Sequence, residues 1–320
     1  MKNKHMILFM KSLIILVFMI FIVKSSFAVE SISIDLGNDL WTGAQSDRYL
    51  TNVVGVKVKM KDLPDFLKTF IPDTEADYFL SKISQDMYTP EDISAEIPDP
   101  SDRPYAGHLY VELKRVKINK DFHDYTGLQI GIIGPAALAD KAQGLVHDWT
   151  GSTEANGWEY QLKNELGLMV TKLYGMKTEL YRNGDIRISN MAFAEFGLGN
   201  VKTYAEVGTS IMAGYNPPQN DSLYDISGHS VKNPWSAYIE AEVRQSYVAR
   251  DIFIDGNTSW FGDQTNLERE EYVTTLKGSV VLRYKRVFLK FSQNIITEQF
   301  EGQNGDHNFG QITIQYRHNF

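Results

Sequence analysis

Residues 311–320 read QITIQYRHNF, a stretch that alternates polar with apolar or amphipathic side chains and stops on an aromatic residue. Alternation with a period of two is typical of a β-strand whose two faces meet different surroundings. The same alternation recurs along the chain. We predict further strands at residues 31–40, 51–60, 76–87, 108–116, 128–133, 158–170, 186–196, 201–212, 237–248, 272–284 and 287–294.

The inward-facing alternates are unusually polar: Glu240, Glu242 and Arg244 on one predicted strand, Gln161 and Lys163 on another. A soluble β-sandwich keeps its inner faces apolar, so polar alternates that share an interior favour a transmembrane barrel. The predicted fold is all-β, a transmembrane antiparallel β-barrel of about 12 strands, an even number as in single-chain bacterial barrels. A soluble periplasmic β domain is the alternative.

The N-terminal residues 1–28 predict export. Lysines precede the apolar run 13–23, and small residues lead to Ala28, as in a cleavable secretory signal peptide. A retained anchor is the alternative, but an apolar run of about ten residues is short for a ~20-residue spanning helix. We expect cleavage near Ala28 and one mature barrel domain, residues 29–320, in the bacterial outer membrane.

Composition excludes several kinds of chemistry. The chain has no cysteine, so neither a disulfide framework nor a thiolate nucleophile or ligand is available. Its formal charge is −8, and it becomes about −12 without the four lysines of the signal peptide. An acidic exported protein is a poor candidate for binding nucleic acid.

Residues 131–165 hold an insert that a barrel does not need for closure. A Gly134-Pro135 pair precedes a stretch with helical character, and Thr150-Gly151 follows it. We predict a short helix in the third extracellular loop. Gln143 and His147 are four residues apart, so they share one face of that helix. The alternative is that His147 is an ordinary polar residue of a surface loop.

The order of strands assigns the connections to the two sides of the membrane. If the first strand starts at the periplasm, the connections 42–48, 88–102, 134–157, 250–271 and 301–308 lie outside, whereas 61–75 and 216–234 would be unusually long periplasmic turns. Separated polar motifs then collect at the outer rim: Asn38-Asp39, Thr51, Asp102-Arg103 and His147.

Asn38 is unusual by its position in the first strand. It shares the lipid-facing side with Ile34 and Leu36, while Asp39 turns inward. A polar residue that faces lipid is costly, which indicates a function. Alternatively, Gly37 breaks the strand and Asn38 already lies among the lipid headgroups.

Several motifs together resemble the outer-membrane lipid A 3′-O-deacylase family. The resemblance covers most of the mature chain and is strongest between residues 35 and 165. It rests on Asn38-Asp39, on Ser46-Asp47-Arg48-Tyr49-Leu50-Thr51-Asn52, on Asp102-Arg103-Pro104-Tyr105-Ala106-Gly107, on Gly134-Pro135 with Gln143 and His147, and on Gly157-Trp158 with Gln161 and Asn164-Glu165.

The resemblance implies a barrel esterase that removes an acyloxyacyl group from lipopolysaccharide in the outer leaflet, with Ca²⁺ as cofactor. Carried over by position, His147 would be the general base. Asn38, Asp39 and Thr51 would line the site and support the ion, with Asn38 and Asp39 as metal ligands. Gln143 would orient substrate or water. We expect the protein to be a membrane-embedded monomer.

The charges near the rim bear on the substrate. Arg48, Arg103 and Lys141 are the nearby cations that could bind lipid phosphates, whereas residues 88–102 carry five carboxylates and no Lys or Arg. We therefore expect a reduced need for phosphate on lipid A.

Other functions stay open: an outer-membrane phospholipase or acyltransferase, or a non-enzymatic channel. A Ser-His-Asp hydrolase is the rival mechanism, but the chain lacks a Gly-x-Ser-x-Gly elbow.

Overall fold

The structure is a computed structural model that describes residues 29–42, 48–63, 76–119, 121–218, 233–262 and 264–318. The predicted signal peptide, residues 43–47 of the first outer loop, the terminal residues 319–320, and much of the two long periplasmic connections lie outside these residues. Among the described residues, no helix is long and apolar enough to cross a membrane.

The predicted barrel is confirmed. Neighbouring strands pair antiparallel, and the last strand pairs with the first, so that the sheet closes into a barrel of 12 strands. The strands are β1 Val29–Asn38, β2 Tyr49–Met60, β3 Tyr78–Thr89, β4 Ala106–Asn119, β5 Phe122–Ile133, β6 Glu165–Asn183, β7 Ile186–Gly199, β8 Lys202–Tyr215, β9 Trp235–Asp251, β10 Tyr272–Tyr284, β11 Val287–Ile296 and β12 His307–Arg317.

In the part of the chain that the structure describes, two helices lie in outer connections: α1, Ala139–Thr150, and α2, Ile252–Asp255. Single 3-10 turns are formed by Asp39–Thr42, Pro135–Ala137 and Trp158–Tyr160. The predicted helix in the third extracellular loop is therefore present as α1. Gly151 ends it in the left-handed conformation (φ 75°), from which its N–H bonds to the carbonyl of His147.

The predicted strand 158–170 is wrong at its start, because β6 begins only at Glu165. The side chain of Asn257 binds the backbone of Lys163 instead, accepting from its N–H at 2.8 Å and donating to its carbonyl at 3.0 Å. This backbone is thus satisfied without a neighbouring strand. Gln161 and Lys163 lie in a loop and do not line the barrel wall.

The polar side chains predicted to face the interior of β9 do so. Arg244 pairs with Glu206 at 2.8 Å and with Glu242 at 2.5 Å. On the inner face of β4, Lys114 pairs with Glu112 at 3.0 Å. Beside this layer lies a polar cavity of about 290 Å³.

Apolar side chains close the interior above the polar layer. A buried cluster at the outer end comprises Ala106, Ile133, Leu162, Val201, Ile252 and Phe253, the last two from α2. A second cluster fills part of the periplasmic half, with Tyr78, Leu80, Val116, Tyr125, Leu173, Met191 and Phe193. The interior is therefore packed with side chains at both levels.

Candidate active site on the outer face of the barrel

Helix α1 packs against the outside of the barrel wall, over β3 and β4. Lys82 and Tyr110 point into the interior, where they line the cavity, so the alternate residues Gln85 and Gly107 face outward. Gln85 Nε2 donates to the carbonyl of Ala137 at 2.6 Å, just before the helix. The helix is thereby held on the lipid side of the wall.

Gly107 allows the close approach of the helix. A Cβ atom added at Gly107 would lie 2.7 Å from the Cβ of Ala139, nearer than two such carbons can come. Ala139 is fully buried in this contact.

One stripe of α1 faces the wall, and Gln143 and His147 both belong to it, as expected for residues that share one face of the helix. Ala139, Gln143 and His147 follow one another at intervals of four residues and are 0%, 2% and 7% exposed. Lys141 lies on the exposed part of the helix.

Both predicted functional side chains of α1 are fixed by hydrogen bonds. Nδ1 of His147 lies 2.5 Å from the carbonyl oxygen of Thr153, just after the helix. The Oε1 atom of Gln143 accepts from Nε1 of Trp158 at 2.6 Å. Because a carbonyl only accepts, the Thr153 contact requires the proton on Nδ1 and leaves the lone pair of a neutral imidazole on Nε2.

The barrel contributes the other half of the site from the outer ends of β1, β2 and β3. β1 continues through Gly37 to Asn38, so the suggested break at Gly37 is wrong and Asn38 lies on the outward face. Asn38 Nδ2 donates to the carbonyl of Thr51 at 3.0 Å. The Thr51 hydroxyl lies 2.5 Å from that of Thr89, at the end of β3.

Strand β3 connects the part of the site on α1 with the part at the outer ends of β1 and β2. Thr89 lies on the same face of β3 as Met87, two residues earlier. Met87 belongs to the buried cluster that holds Ala139 of α1, together with Tyr105 and Trp158. Asn38, Thr51, Gln143 and His147 are thus arranged around one stretch of outer wall.

Asp39 is the first residue of a 3-10 turn and is fully buried. Its Oδ2 accepts from the backbone N–H of Arg48 at 2.5 Å, which joins the two ends of the first outer loop. The next residue, Tyr49, has a left-handed backbone (φ 66°), which is rare for a bulky residue and accumulates at functional sites. Asp39 therefore sits beside a strained turn at the rim.

The three predicted phosphate-binding cations differ in accessibility. Arg48 pairs with Glu91 at 2.9 Å, and Lys141 is exposed. Arg103 is only 2% exposed, so the predicted contact with substrate does not fit its position. Its guanidinium donates to Gln299 at 2.8 Å, and burial lowers its pKa.

Aromatic rings explain the burial of Arg103. The rings of Tyr49, Tyr88 and Phe300 lie within 5.9 Å of the guanidinium carbon. Arg103 therefore joins the outer loops to the barrel.

The acidic loop 88–102 borders the site and is folded against the loop that carries α1. The Asn156 N–H donates to the carbonyl of Ile93 at 3.0 Å, and so does the Tyr105 hydroxyl at 3.1 Å. The carboxylates of Glu91, Asp92, Glu96 and Asp99 remain exposed at its surface. Hydrogen bonds from Ser94 lower the pKa of Asp92, and those from Ser101 lower that of Asp99.

Asp102 differs from the other loop carboxylates. It accepts from the N–H of Glu91 at 2.7 Å and from that of Arg103 at 2.6 Å, while burial raises its pKa. Asp102 therefore fastens the base of the loop.

The donors at the rim suit a hard cation in type. Asn38 carries an amide oxygen and Asp39 a carboxylate, and oxygen ligands of both kinds suit calcium. Within the described residues, no group of three His, Asp or Glu side chains forms a metal cluster.

Sequence reasoning missed several parts of the site. It gave no role to Thr89, Thr153 or Trp158, although Trp158 belongs to one of the motifs on which the family resemblance rests. Strand alternation could have found Thr89, which is on the outward face of β3, but its contact with Thr51 depends on pairing in space.

Comparison with known proteins agrees with this fold. The family model described as outer membrane protein LpxR matches residues 12–318. The solved structure of LpxR from Salmonella typhimurium aligns with a TM-score of 0.75 at 18% identity, over 90% of this chain and 100% of that chain. The β domain of the Bordetella autotransporter BrkA aligns at 0.44 with 8% identity, over 90% and 99%, too distant to support a conclusion.

No curated protein sequence matches the chain. The family model nevertheless covers almost its whole length, and the LpxR structure shows the same fold. The family and the barrel fold together show that the protein is located in the bacterial outer membrane. The chain belongs to the LpxR family of outer membrane proteins, as its resemblance to the lipid A deacylases predicted.

Proposed function

We propose that the protein is an esterase that hydrolyses the 3′-linked acyloxyacyl chain of lipid A in the outer leaflet. The observation that carries this proposal is the location of the site on the outside of the barrel. Polar groups of α1 and of β1–β3 meet there, above a band of exposed apolar side chains that includes Ile34, Val54, Ile83 and Val111. A membrane lipid can reach such a site laterally without leaving the leaflet.

His147 is proposed as the general base. Its Nε2 atom takes a proton from a water molecule whose oxygen bonds to the acyl carbon of the ester. The bond between that carbon and the sugar oxygen then breaks, and the proton passes from Nε2 to the leaving oxygen, giving a fatty acid and a sugar hydroxyl. A positioned base of this kind contributes about 10²–10⁴ in rate.

Asn38 and Asp39 are the residues proposed to hold calcium, with Thr51 behind them. Bound calcium would supply positive charge to the ester carbonyl oxygen. The chain's own contribution is to fix these donors. Thr51 accepts from Asn38 through its carbonyl and contacts Thr89 through its hydroxyl, so that the end of β2 is held on both sides.

The channel alternative loses support from the packed interior. Ile252 and Phe253 of α2 close the outer end above a layer of ion pairs. A phospholipase or acyltransferase would use the same lipid-facing site, so the products must distinguish them.

Mass spectrometry of the products tests the proposal. The purified protein is incubated in detergent with lipid A and phospholipid together, in calcium. We expect lipid A to lose the mass of one acyloxyacyl unit while phospholipid stays intact. Fatty acid released from phospholipid, or an acyl chain moved from phospholipid to lipid A, would instead identify a phospholipase or an acyltransferase.

A further inference from the structure

The side-chain amide of Gln143 has a defined orientation because its neighbour can only donate. Indole nitrogen carries a hydrogen and no accepting lone pair, so the atom 2.6 Å from Nε1 of Trp158 must be the amide oxygen of Gln143. The –NH2 group therefore points away from Trp158.

That –NH2 group is buried without a hydrogen-bond partner in the part of the chain that the structure describes. Gln143 is 2% exposed. A buried donor left unsatisfied is costly, so such a group in a folded protein calls for an explanation, and a ligand is one.

The location of Gln143 indicates which atom of a bound ligand would accept a hydrogen bond from the –NH2 group. The residue lies one helical turn before His147 on the stripe that faces the barrel wall, so both side chains reach the same space. The base needs a water beside it, and the ester carbonyl must lie next to that water. A free N–H group in this space suits the carbonyl oxygen, on which negative charge develops.

We propose that Trp158 is a positioning residue that fixes the Gln143 amide as a hydrogen-bond donor to the carbonyl oxygen of the scissile ester. The inference rests on the proposed function, which it deepens. It assigns Gln143 a donor role, whereas a glutamine that orients the attacking water could do so by accepting.

Trp158 is itself held firmly enough for this role. Its ring packs on that of Tyr105 with centroids 4.9 Å apart, inside the buried cluster with Met87 and Ala139. Its carbonyl accepts from Nε2 of Gln161 at 3.0 Å. The indole is thus fixed from the ring side and from the backbone side.

A double-mutant cycle tests the coupling. Trp158→Phe keeps the ring and removes the N–H, so that the amide can turn over; we expect kcat to fall about 3- to 10-fold with KM nearly unchanged. Gln143→Ala and Gln143→Glu both remove the donor and should lower kcat about 10²-fold. In the Gln143→Ala background, Trp158→Phe should have no further effect.

Tyr105→Phe is the matched control, since it removes a buried hydrogen bond to Ile93 from the same aromatic cluster without touching Gln143. Wild-type kcat in Trp158→Phe overturns the inference. The inference is also overturned if the kcat losses of the two single variants multiply in the double variant, or if Tyr105→Phe lowers kcat as much as Trp158→Phe does. An active Gln143→Glu variant would overturn it too.

A second measurement does not depend on turnover. In protein with ¹⁵N-labelled tryptophan, Trp158→Phe identifies the indole resonance, and Gln143→Leu should shift it and speed its exchange with solvent. An unchanged resonance would disprove the hydrogen bond and with it the inference. If Gln143→Leu shifts the resonance but the wild-type protein leaves lipid A intact, the amide orientation stands and the proposed function is refuted.

Discussion

At the scale of single residues, His147 should be indispensable for activity but not for folding. His147→Ala removes the proposed base from a loop helix that takes no part in strand pairing, so we expect at least a ~10²-fold loss of turnover. Heat-modifiable gel migration reports the folded barrel. Val146→Ala, on the exposed side of the same helix, is the control. More than about a tenth of wild-type turnover in His147→Ala would contradict the assignment.

Asp39 gives the corresponding prediction for the metal. Asp39→Ala should abolish activity at low calcium and regain part of it at high calcium, because losing one carboxylate among several oxygen donors lowers affinity without erasing the site. A chelator should have the same effect on the wild-type protein, reversed by adding calcium. Undiminished wild-type activity in excess chelator would show that protein donors alone stabilise the oxyanion.

The sequence predicted the relative position of candidate site residues where spacing along the chain decides it. Gln143 and His147 share a helix face because they are four residues apart. It could not predict that Trp158 binds Gln143, which requires a 3-10 turn after the helix to return to it. It also misjudged Arg103, because a cation that follows an acidic loop in sequence gives no sign of the aromatic rings that bury it.

At the scale of elements, the fit of α1 on β4 should control activity independently of the barrel. Gly107→Val places a branched side chain where even a Cβ atom lies 2.7 Å from Ala139, so the helix must move from the wall. We expect turnover to fall at least 10-fold, since a misplacement of about 1 Å can cost ~10²-fold. The folded barrel should persist in heat-modifiable migration.

Gly144→Ala is the control for that variant. It adds a methyl group to the same helix, in open space, and should stabilise α1 by up to about 1 kcal/mol with turnover retained. Equal activity of Gly107→Val and wild type would show that the helix need not contact the wall.

The acidic loop should set the preference for lipid charge. Its exposed carboxylates repel an anionic headgroup, and Glu91 also forms an ion pair with Arg48. Changing Glu91, Asp92 and Glu96 to Gln or Asn should raise activity on phosphorylated lipid A more than on a dephosphorylated form, by about 3- to 10-fold at low salt. Equal effects on both substrates would mean that the loop does not face the headgroup.

Strands were the most predictable elements, because alternation by two is a local property of the sequence. Residues 158–164 are an exception. They also alternate, but Asn257, almost a hundred residues further along, binds the backbone of Lys163 and keeps it out of the sheet. The local alternation cannot show that a distant side chain competes with a neighbouring strand for the hydrogen bonds of this backbone.

At the scale of the whole molecule, the barrel uses its two surfaces for different purposes. The interior is filled with ion pairs and apolar clusters, and it supports the wall. The exterior carries the candidate site, where lipid is the surrounding medium. The polar Asn38 on the outward face of β1, which is costly in an ordinary barrel, fits this division because it lies at the outer end of its strand and its amide donates to the carbonyl of Thr51.

The packed interior leads to a prediction about conductance. Purified protein that is active on lipid A should show no steady channel current in planar bilayers, because Ile252 and Phe253 fill the outer end, and Arg244 with its carboxylate partners crosses the layer below. A double variant, Ile252→Gly with Phe253→Gly, should admit ions more readily than wild type, with turnover affected less than conductance since the site lies outside the wall. A steady current through the wild-type protein would mean that the interior opens in the membrane.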